Sequence, residues 1–426
     1  LAQFLKNTPA ENIQKIEVIT MPGSEFQVEA SDGIINIVMK KKMTNGLNGN
    51  IRMASSANIY SSNSSSFSAN YRKDKLGISA NLTGSENIQP QSYVLRNGNS
   101  KATNESVGDI IDPNKNLGGY LNIDYQLTEK SNMALSWNTW ANKSYNSTVN
   151  LFNTIRTLKQ GNVWETKYSR SKNKEDARSY NNSVNLNYEL KTDSLGSKLN
   201  LNAAYLNFKR FQSTDNNTYE STADGIDLYR SRYVSQSLPQ IINNFSGMAD
   251  YIQKFKNDLT VSVGGNYNKT KTDNDTQSVT SIFDADGSLA EVYNAEGIKI
   301  DNPLSTPNHF LYDENIYGLY VTVEKKFSDK FSGKIGTRYE MTKSTATSDN
   351  AQAFSFLNIE RNYSNVLPYL SLNYAINEKS NISYAFSSRM RRPSFWEINP
   401  VKNILTENNY VQNNPFVKAS SSYNQE

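Results

Sequence analysis

Leu117-Gly118-Gly119-Tyr120-Leu121-Asn122-Ile123-Asp124-Tyr125-Gln126-Leu127, then Thr128-Glu129-Lys130, then Ser131-Asn132-Met133-Ala134-Leu135-Ser136-Trp137-Asn138-Thr139-Trp140, is the stretch whose reading decides the fold. Leu121, Ile123, Tyr125 and Leu127 share one face, and Asn122, Asp124 and Gln126 share the other. That is the period of a β-strand. The short polar link returns the second run beside the first as a hairpin. Tyr363 to Ile376 and Asn381 to Ser388, joined by Asn377-Glu378-Lys379-Ser380, repeat the arrangement.

Working outward, the same alternation recurs along the chain. Val184, Leu186, Tyr188 and Leu190 oppose Asn185, Asn187 and Glu189, and Leu259, Val261, Val263 and Tyr267 oppose Thr260, Ser262, Gly264 and Asn266. Tyr317, Leu319, Val321 and Val323 oppose Gly318, Thr322 and Glu324. The periodicity predicts roughly 14 strands, at 47–59, 65–73, 75–86, 117–127, 131–142, 180–190, 198–209, 243–255, 258–270, 314–327, 330–342, 363–376, 380–389 and from 418 onward. Tight turns are expected at 73–75, 128–130, 191–197, 256–257, 328–329 and 377–380. Long Asn/Ser/Asp-rich loops are expected at 87–116, 143–179, 210–242, 271–313, 343–362 and 390–417.

Short turns at one end and long connections at the other are what a transmembrane β-barrel needs. A water-soluble β-protein would use the 26 Tyr and 17 Phe as ordinary strand formers. It gives no reason for every long connection to emerge on one side. In a barrel the same aromatics form girdles at the lipid interfaces. No run of eighteen apolar residues exists, which excludes helical spans but not strands. The net charge of +4, with basic and acidic residues mixed, gives no basis for a nucleic-acid partner. The absence of Cys excludes disulfides and thiolate metal sites.

The first residues differ. Ile13, Ile16, Val18 and Ile19 predict a short strand, Met21-Pro22-Gly23-Ser24 a turn, and Gly33-Ile34-Ile35-Asn36-Ile37-Val38-Met39 a strand buried on both faces and closed by Lys40-Lys41-Lys42. A polar inner wall must meet water or a polar plug, because unpaired buried polar groups are costly. Leu1 opens without an initiator Met or signal sequence, and the last strand runs to Glu426, so an internal piece of a longer protein is expected.

Two stretches carry a resemblance. Pro9-Ala10-Glu11-Asn12-Ile13-Gln14-Lys15-Ile16-Glu17-Val18-Ile19-Thr20, continued by Gly33 to Lys41, is similar to the end of the plug domain of TonB-dependent outer-membrane receptors, specifically the large outer-membrane β-barrel family of Bacteroidetes type. Arg391-Arg392-Pro393-Ser394-Phe395-Trp396-Glu397-Ile398-Asn399-Pro400, with Asn414-Pro415, resembles that family's Arg-Arg-Pro and Asn-Pro segments, Asn413 standing where Gly is usual. The fold class expected is all-β, a large transmembrane antiparallel β-barrel. Residues 1–44 would be the C-terminal part of an N-terminal plug domain and 45–426 a partial barrel, about 14 strands of a barrel of about 22.

The resemblance implies a receptor and transporter in the cell outer membrane, importing a scarce iron chelate, vitamin, oligosaccharide or peptide. Its partners would be that substrate, outer-membrane lipid and the TonB-ExbB-ExbD energising complex reached through sequence ahead of Leu1, with a surface lipoprotein as a further candidate. The alternative is a non-transporting surface barrel that binds or adheres through its loops.

Enzyme chemistry finds little footing. His309 is the single His, and neither an HExxH nor a G-x-S-x-G motif is present, so no catalytic residue, metal ligand or cofactor is expected. Asp273, Asp275, Asp284 and Asp286 lack the spacing of a Ca²⁺ loop. Ligand candidates are the loop aromatics Trp164, Tyr168, Tyr219, Tyr229, Phe310 and Tyr312, which would stack on a sugar or chelate. Arg389, Arg391 and Arg392, beside Trp396, could clamp a carboxylate, or instead pair with plug or loop carboxylates while Trp396 anchors at the lipid interface.

Overall fold

The computed structural model describes residues 13–19, 23–26, 34–39, 45–57, 59–294, 296–349, 357–401, 403–406 and 409–426. Pro9–Asn12, Met21-Pro22 and Lys40-Lys41-Lys42 lie outside them. β1 (Ile13–Ile19) and β2 (Ile34–Met39) pair antiparallel as a sheet of their own. Ile35 is exposed, against the expectation that the Gly33–Met39 strand is buried on both faces, and Ile16 and Val18 on the neighbouring β1 are exposed as well. No apolar layer lies on this ribbon among the described residues.

The wall follows as β3 (Gly46–Ala57), β4 (Ser61–Lys73), β5 (Leu76–Gly98), β6 (Ala102–Gln126), β7 (Ser131–Lys159), β8 (Val163–Lys191) and β9 (Lys198–Ser221). Next come β10 (Asp227–Ser237), β11 (Gln240–Lys254) and β12 (Leu259–Ile282). The excursion β13 (Val292–Tyr293), β14 (Lys299–Ile300) and β15 (Leu304–Ser305) leads to β16 (Asn308–Lys326), β17 (Phe331–Ser348), β18 (Leu357–Asn377) and β19 (Ser380–Arg391). A helical turn, α1 (Phe395–Ile398), and the ribbon β20 (Asn403–Thr406) and β21 (Asn409–Val411) precede β22 (Ser420–Gln425).

The large antiparallel sheet runs β22-β19-β18-β17-β16-β12-β10-β9-β8-β7-β6-β5-β4-β3, fourteen positions. β10 and β11 occupy one of them, since both pair with β9 on one side and β12 on the other. The break between them is Leu238-Pro239, where Pro has no N–H to give the ladder. β3 and β22 each pair on one side only among the described residues.

The tight turns stand where the alternation placed them, but only some of the long loops do. Most of 87–116, 143–179 and 210–242 is strand that continues the hairpins. β7 and β8 have 29 residues each, whereas a tilted membrane strand needs about 9–11. The surplus exceeds what a bilayer requires, and along it the apolar alternation gives way to polar residues on both faces, those on the inner one, such as Ser169 and Ser171, being buried. Ladder hydrogen bonds need no apolar side chain, so pairing continues through Ser, Thr and Asn. The β7–β8 hairpin closes only at Gly161 and Asn162, with φ of 81° and 62°, values that suit Gly and Asn. The connections that remain long are 283–307 and 392–419.

In the lower half the faces separate as expected. Leu319, Val321, Val323 and Ile335 point outward and are exposed, while Tyr320, Thr322 and Arg338 are buried on the inner face. Outward Tyr267 lies 5.0 Å from Tyr317 and 6.4 Å from Phe245, ring to ring, a contiguous piece of aromatic girdle.

Candidate functional site

The inner face of β12, β16 and β17 is the most heavily covered part of the wall. Arg338 and Glu340, two apart on β17, point the same way, as strand geometry requires. Arg338 Nε donates to Glu340 Oε1 at 2.6 Å, and the Arg338 guanidinium also donates to Asn266 Oδ1 on β12. Glu340 Oε2 accepts from the guanidinium of Arg392, whose Nε donates to Thr342 Oγ1 at 3.0 Å. One carboxylate, 0% exposed, is thus gripped by two guanidiniums.

Glycine makes the space. A Cβ on Gly318 would collide with Arg338 and Asn266, and one on Gly264 with Asp250 and Tyr320. Gly336 opens room for Ser24, 4% exposed. Beside Ser24, Glu25 Oε1 accepts from Lys334 Nζ at 2.5 Å. Tyr320 donates to Asp250 Oδ1 at 2.7 Å. Glu25, Asn266, Tyr320 and Arg338 line a cavity of about 120 Å³. Three cations (Lys334, Arg338, Arg392) face three carboxylates (Glu25, Asp250, Glu340), so this part of the wall is neutral as a whole.

The second half of the site comes from the loop. After Arg391 the chain leaves the wall and folds inward. Phe395 packs against Phe310 with ring centroids 5.5 Å apart, and Phe310, Tyr312, Ala346, Phe395 and Ile398 form one buried apolar cluster. Asn399 Nδ2 donates to Asn274 Oδ1 at 2.9 Å. The Arg361 guanidinium donates to the carbonyls of Pro415 and Val417, and Asn413 Nδ2 donates to the Trp396 carbonyl. Asn in the usual Gly place therefore supplies an amide that ties the loop to α1. Glu397 closes the start of α1, accepting from Ser394 N at 2.8 Å and pairing with Arg391. These contacts hold the Glu397 carboxyl below the ordinary carboxylate range, the Ser394 amide first.

Phe310, Tyr312, Arg391, Arg392 and Trp396 are brought together, although Phe310, Tyr312 and Arg392 are buried in the loop–wall contact. Arg389 is buried on β19, and Trp396 is half exposed on α1, not on an outward strand face. Trp164, Tyr168, Tyr219 and Tyr229 lie on extended strands, not in loops. By parity with Val184, Trp164 and Tyr168 face outward, Tyr168 stacking on Phe152 at 5.8 Å. Tyr219 shares that face, with Lys172 Nζ 4.9 Å from its ring centre, whereas Tyr229 pairs with Glu220 on the opposite face.

His309 faces outward and pairs with Asp273 at 3.0 Å. Among the described residues no group of three or more His, Cys, Asp or Glu could hold a metal ion. Sequence reasoning missed Arg338, Glu340, Glu25, Lys334 and Asn399. Its one available signal was a charged pair at i, i+2 on an inward face next to Gly336.

The chain is similar in fold to the ferric citrate transporter FecA in its unliganded form, at 13% identity and a TM-score of 0.49, over 90% of this chain and 50% of that one. It therefore spans half the length of that transporter. The siderophore receptor PiuA from Acinetobacter baumannii matches at 10% identity and a TM-score of 0.28, over 89% and 82% of the two chains. The outer membrane protease OmpT from Escherichia coli matches at 10% identity and a TM-score of 0.24, over 71% and 96%. No curated protein sequence matches. The family model that describes outer membrane protein β-barrels matches residues 190–426, more than half of the chain. Fourteen antiparallel positions, an outward apolar band and that match together place the chain in the outer membrane protein β-barrel family, and so in the outer membrane.

Proposed function

We propose that the chain is the wall, the infolded loop and the plug end of a TonB-dependent outer-membrane transporter. The observation that carries this reading is the docking of Ser24-Glu25 onto the luminal wall through Lys334 and Gly336. A plain channel has no use for a separate N-terminal segment inserted beside its wall. Residues 1–44 are the end of a plug and 45–426 the barrel around it. The substrate is a scarce iron chelate, vitamin, oligosaccharide or peptide, bound by the extended hairpins and the loop. An energy-coupled pull on the plug breaks the Glu25 contact and opens the lumen. Binding, release and passage along a polar wall require no covalent step, so the protein acts without enzyme chemistry. The energised partner would be the TonB-ExbB-ExbD complex.

The test is reconstitution of the full-length protein in liposomes. Uptake that appears only with the energising complex supports transport. Uptake without it, or surface adhesion with no uptake, sinks the reading in favour of a pore or a binding barrel.

A further inference from the structure

The contact between α1 and the wall is built like an occupied ligand site. Its apolar cluster is divided between wall and loop: Phe310, Tyr312 and Ala346 belong to the wall, Phe395 and Ile398 to the loop. A single helical turn covers two aromatic rings that would otherwise face the lumen. Aromatic walls of this kind provide contact area for an apolar side chain.

Around the rings the wall presents polar groups: the Glu314 carboxylate accepts from the Tyr312 hydroxyl at 2.8 Å, and the others are uncharged amides and a hydroxyl. Asn274 is already engaged by Asn399. Gln240 is 1% exposed and Thr272 3% exposed. Neither amide atom of Gln240, nor the Thr272 hydroxyl, finds a partner among the described residues. The ladder places these three together, Ile241 lying opposite Asp273 and Ile242 opposite Thr272. Buried donors and acceptors are normally paired, and leaving them unpaired costs free energy. The loop thus covers more hydrogen-bonding capacity than it uses. Its own anchorage is marginal to the patch: Arg392 on Glu340 at one end, and Arg361 on the Pro415 and Val417 carbonyls at the other.

We propose that this patch is a peptide-binding site on the luminal wall, and that Ser394–Pro400 occupies it in cis as a substitute for the ligand. The ligand class follows from what the site already holds: a peptide with an aromatic side chain and, four residues on, a side-chain amide, as Phe395 and Asn399 are spaced. The incoming aromatic takes the place of Phe395 over Phe310, its amide takes Asn274, and its further polar groups reach Gln240 and Thr272. The proposal names the substrate class for the transporter reading above and rests on it. Binding at equilibrium needs no energy source, however, so its failure is distinguishable from a failure of transport.

The probe is a fluorescein-labelled peptide Ser-Phe-Trp-Glu-Ile-Asn-Pro, read by anisotropy on full-length protein in nanodiscs. Arg392→Gln releases the loop while Glu340 keeps Arg338. A second releasing variant, Phe395→Ala with Ile398→Ala, leaves the charged network intact in case the first folds poorly. An Asn274→Cys/Asn399→Cys protein bridged by a short bismaleimide holds the loop down. Freeing a site from an internal occupant restores affinity by the occupied fraction, so the released variants should bind about tenfold or more tightly than the parent. The bridged protein, and the probe carrying Ala for Phe, should show no binding. The proposal is overturned if neither released variant gains affinity, or if the Ala probe binds equally well. It is also overturned if maltoheptaose, an uncharged oligosaccharide, binds the released protein and the peptide does not.

Discussion

β3 and β17 are strands of the same sheet with the same alternation, yet their inner faces have opposite fates. Every residue of β3 is exposed. On β17 every second residue from Arg338 to Ser348 is buried. The strand pattern decides which face a side chain takes, but what lies on that face decides whether it is buried. β17 carries Ser24-Glu25 and the infolded loop. Its charges are therefore held in a network, while an inward arginine on β3, Arg52, remains in the open.

The comparison breaks most sharply at Glu340. Glu340→Ala leaves Arg338 and Arg392 facing each other without their shared carboxylate, and removing one partner of a buried ion pair costs about 3–5 kcal/mol. Arg52→Ala should stay within about 0.5 kcal/mol. Unfolding of the folded, gel-shifted species in detergent measures both, and equal midpoints would refute the difference. Gly318→Val is next, because its side chain must overlap Arg338 and Asn266, an overpacking cost of about 1–3 kcal/mol. Gly84→Val on β5 meets only ordinary contacts near 3.8 Å and should be far milder by the same measurement.

Lys334→Ala acts locally. It removes the cation from Glu25, worth about 1 kcal/mol, and should raise hydrogen exchange over residues 23–26 while the unfolding midpoint holds. The smallest effect is on pH. The Glu397 carboxyl is depressed in the folded loop, so its contribution is present above its unfolded pKa and is lost as pH falls through the folded one. Proteolysis within residues 392–400 should therefore rise on acidification below the ordinary carboxylate range. Glu397→Gln should cut that pH response, and an unchanged response would exclude Glu397 as its source.

Much of the fold was legible. Leu121, Ile123 and Tyr125 against Asn122 and Asp124 announce strand and face because those relations are local and have a period of two. Above the bilayer the same logic fails. Ser169, Ser171 and Asn173 lie buried on an inner face, but Ser and Asn alternating with Lys and Arg carry no apolar signal, so paired strand reads as loop. The site was half legible. Arg392 and Trp396 stand out in a motif, whereas Glu340 is one carboxylate among many until its partner is known.

The sequence by itself determined the strand spacing, the tight turns, the lipid-facing side chains and the membrane they imply, because each follows from neighbours a few residues apart. Tertiary structure alone decided that the hairpins continue past the bilayer, that the Arg392–Pro400 segment turns inward, and that Glu340 is shared by two arginines. Arg392 reaches Glu340 across 52 residues and Lys334 reaches Glu25 across 309. Contacts at such separations leave no periodic trace in the chain, since only the infolding of the loop and the docking of Ser24-Glu25 on the wall bring their partners within reach.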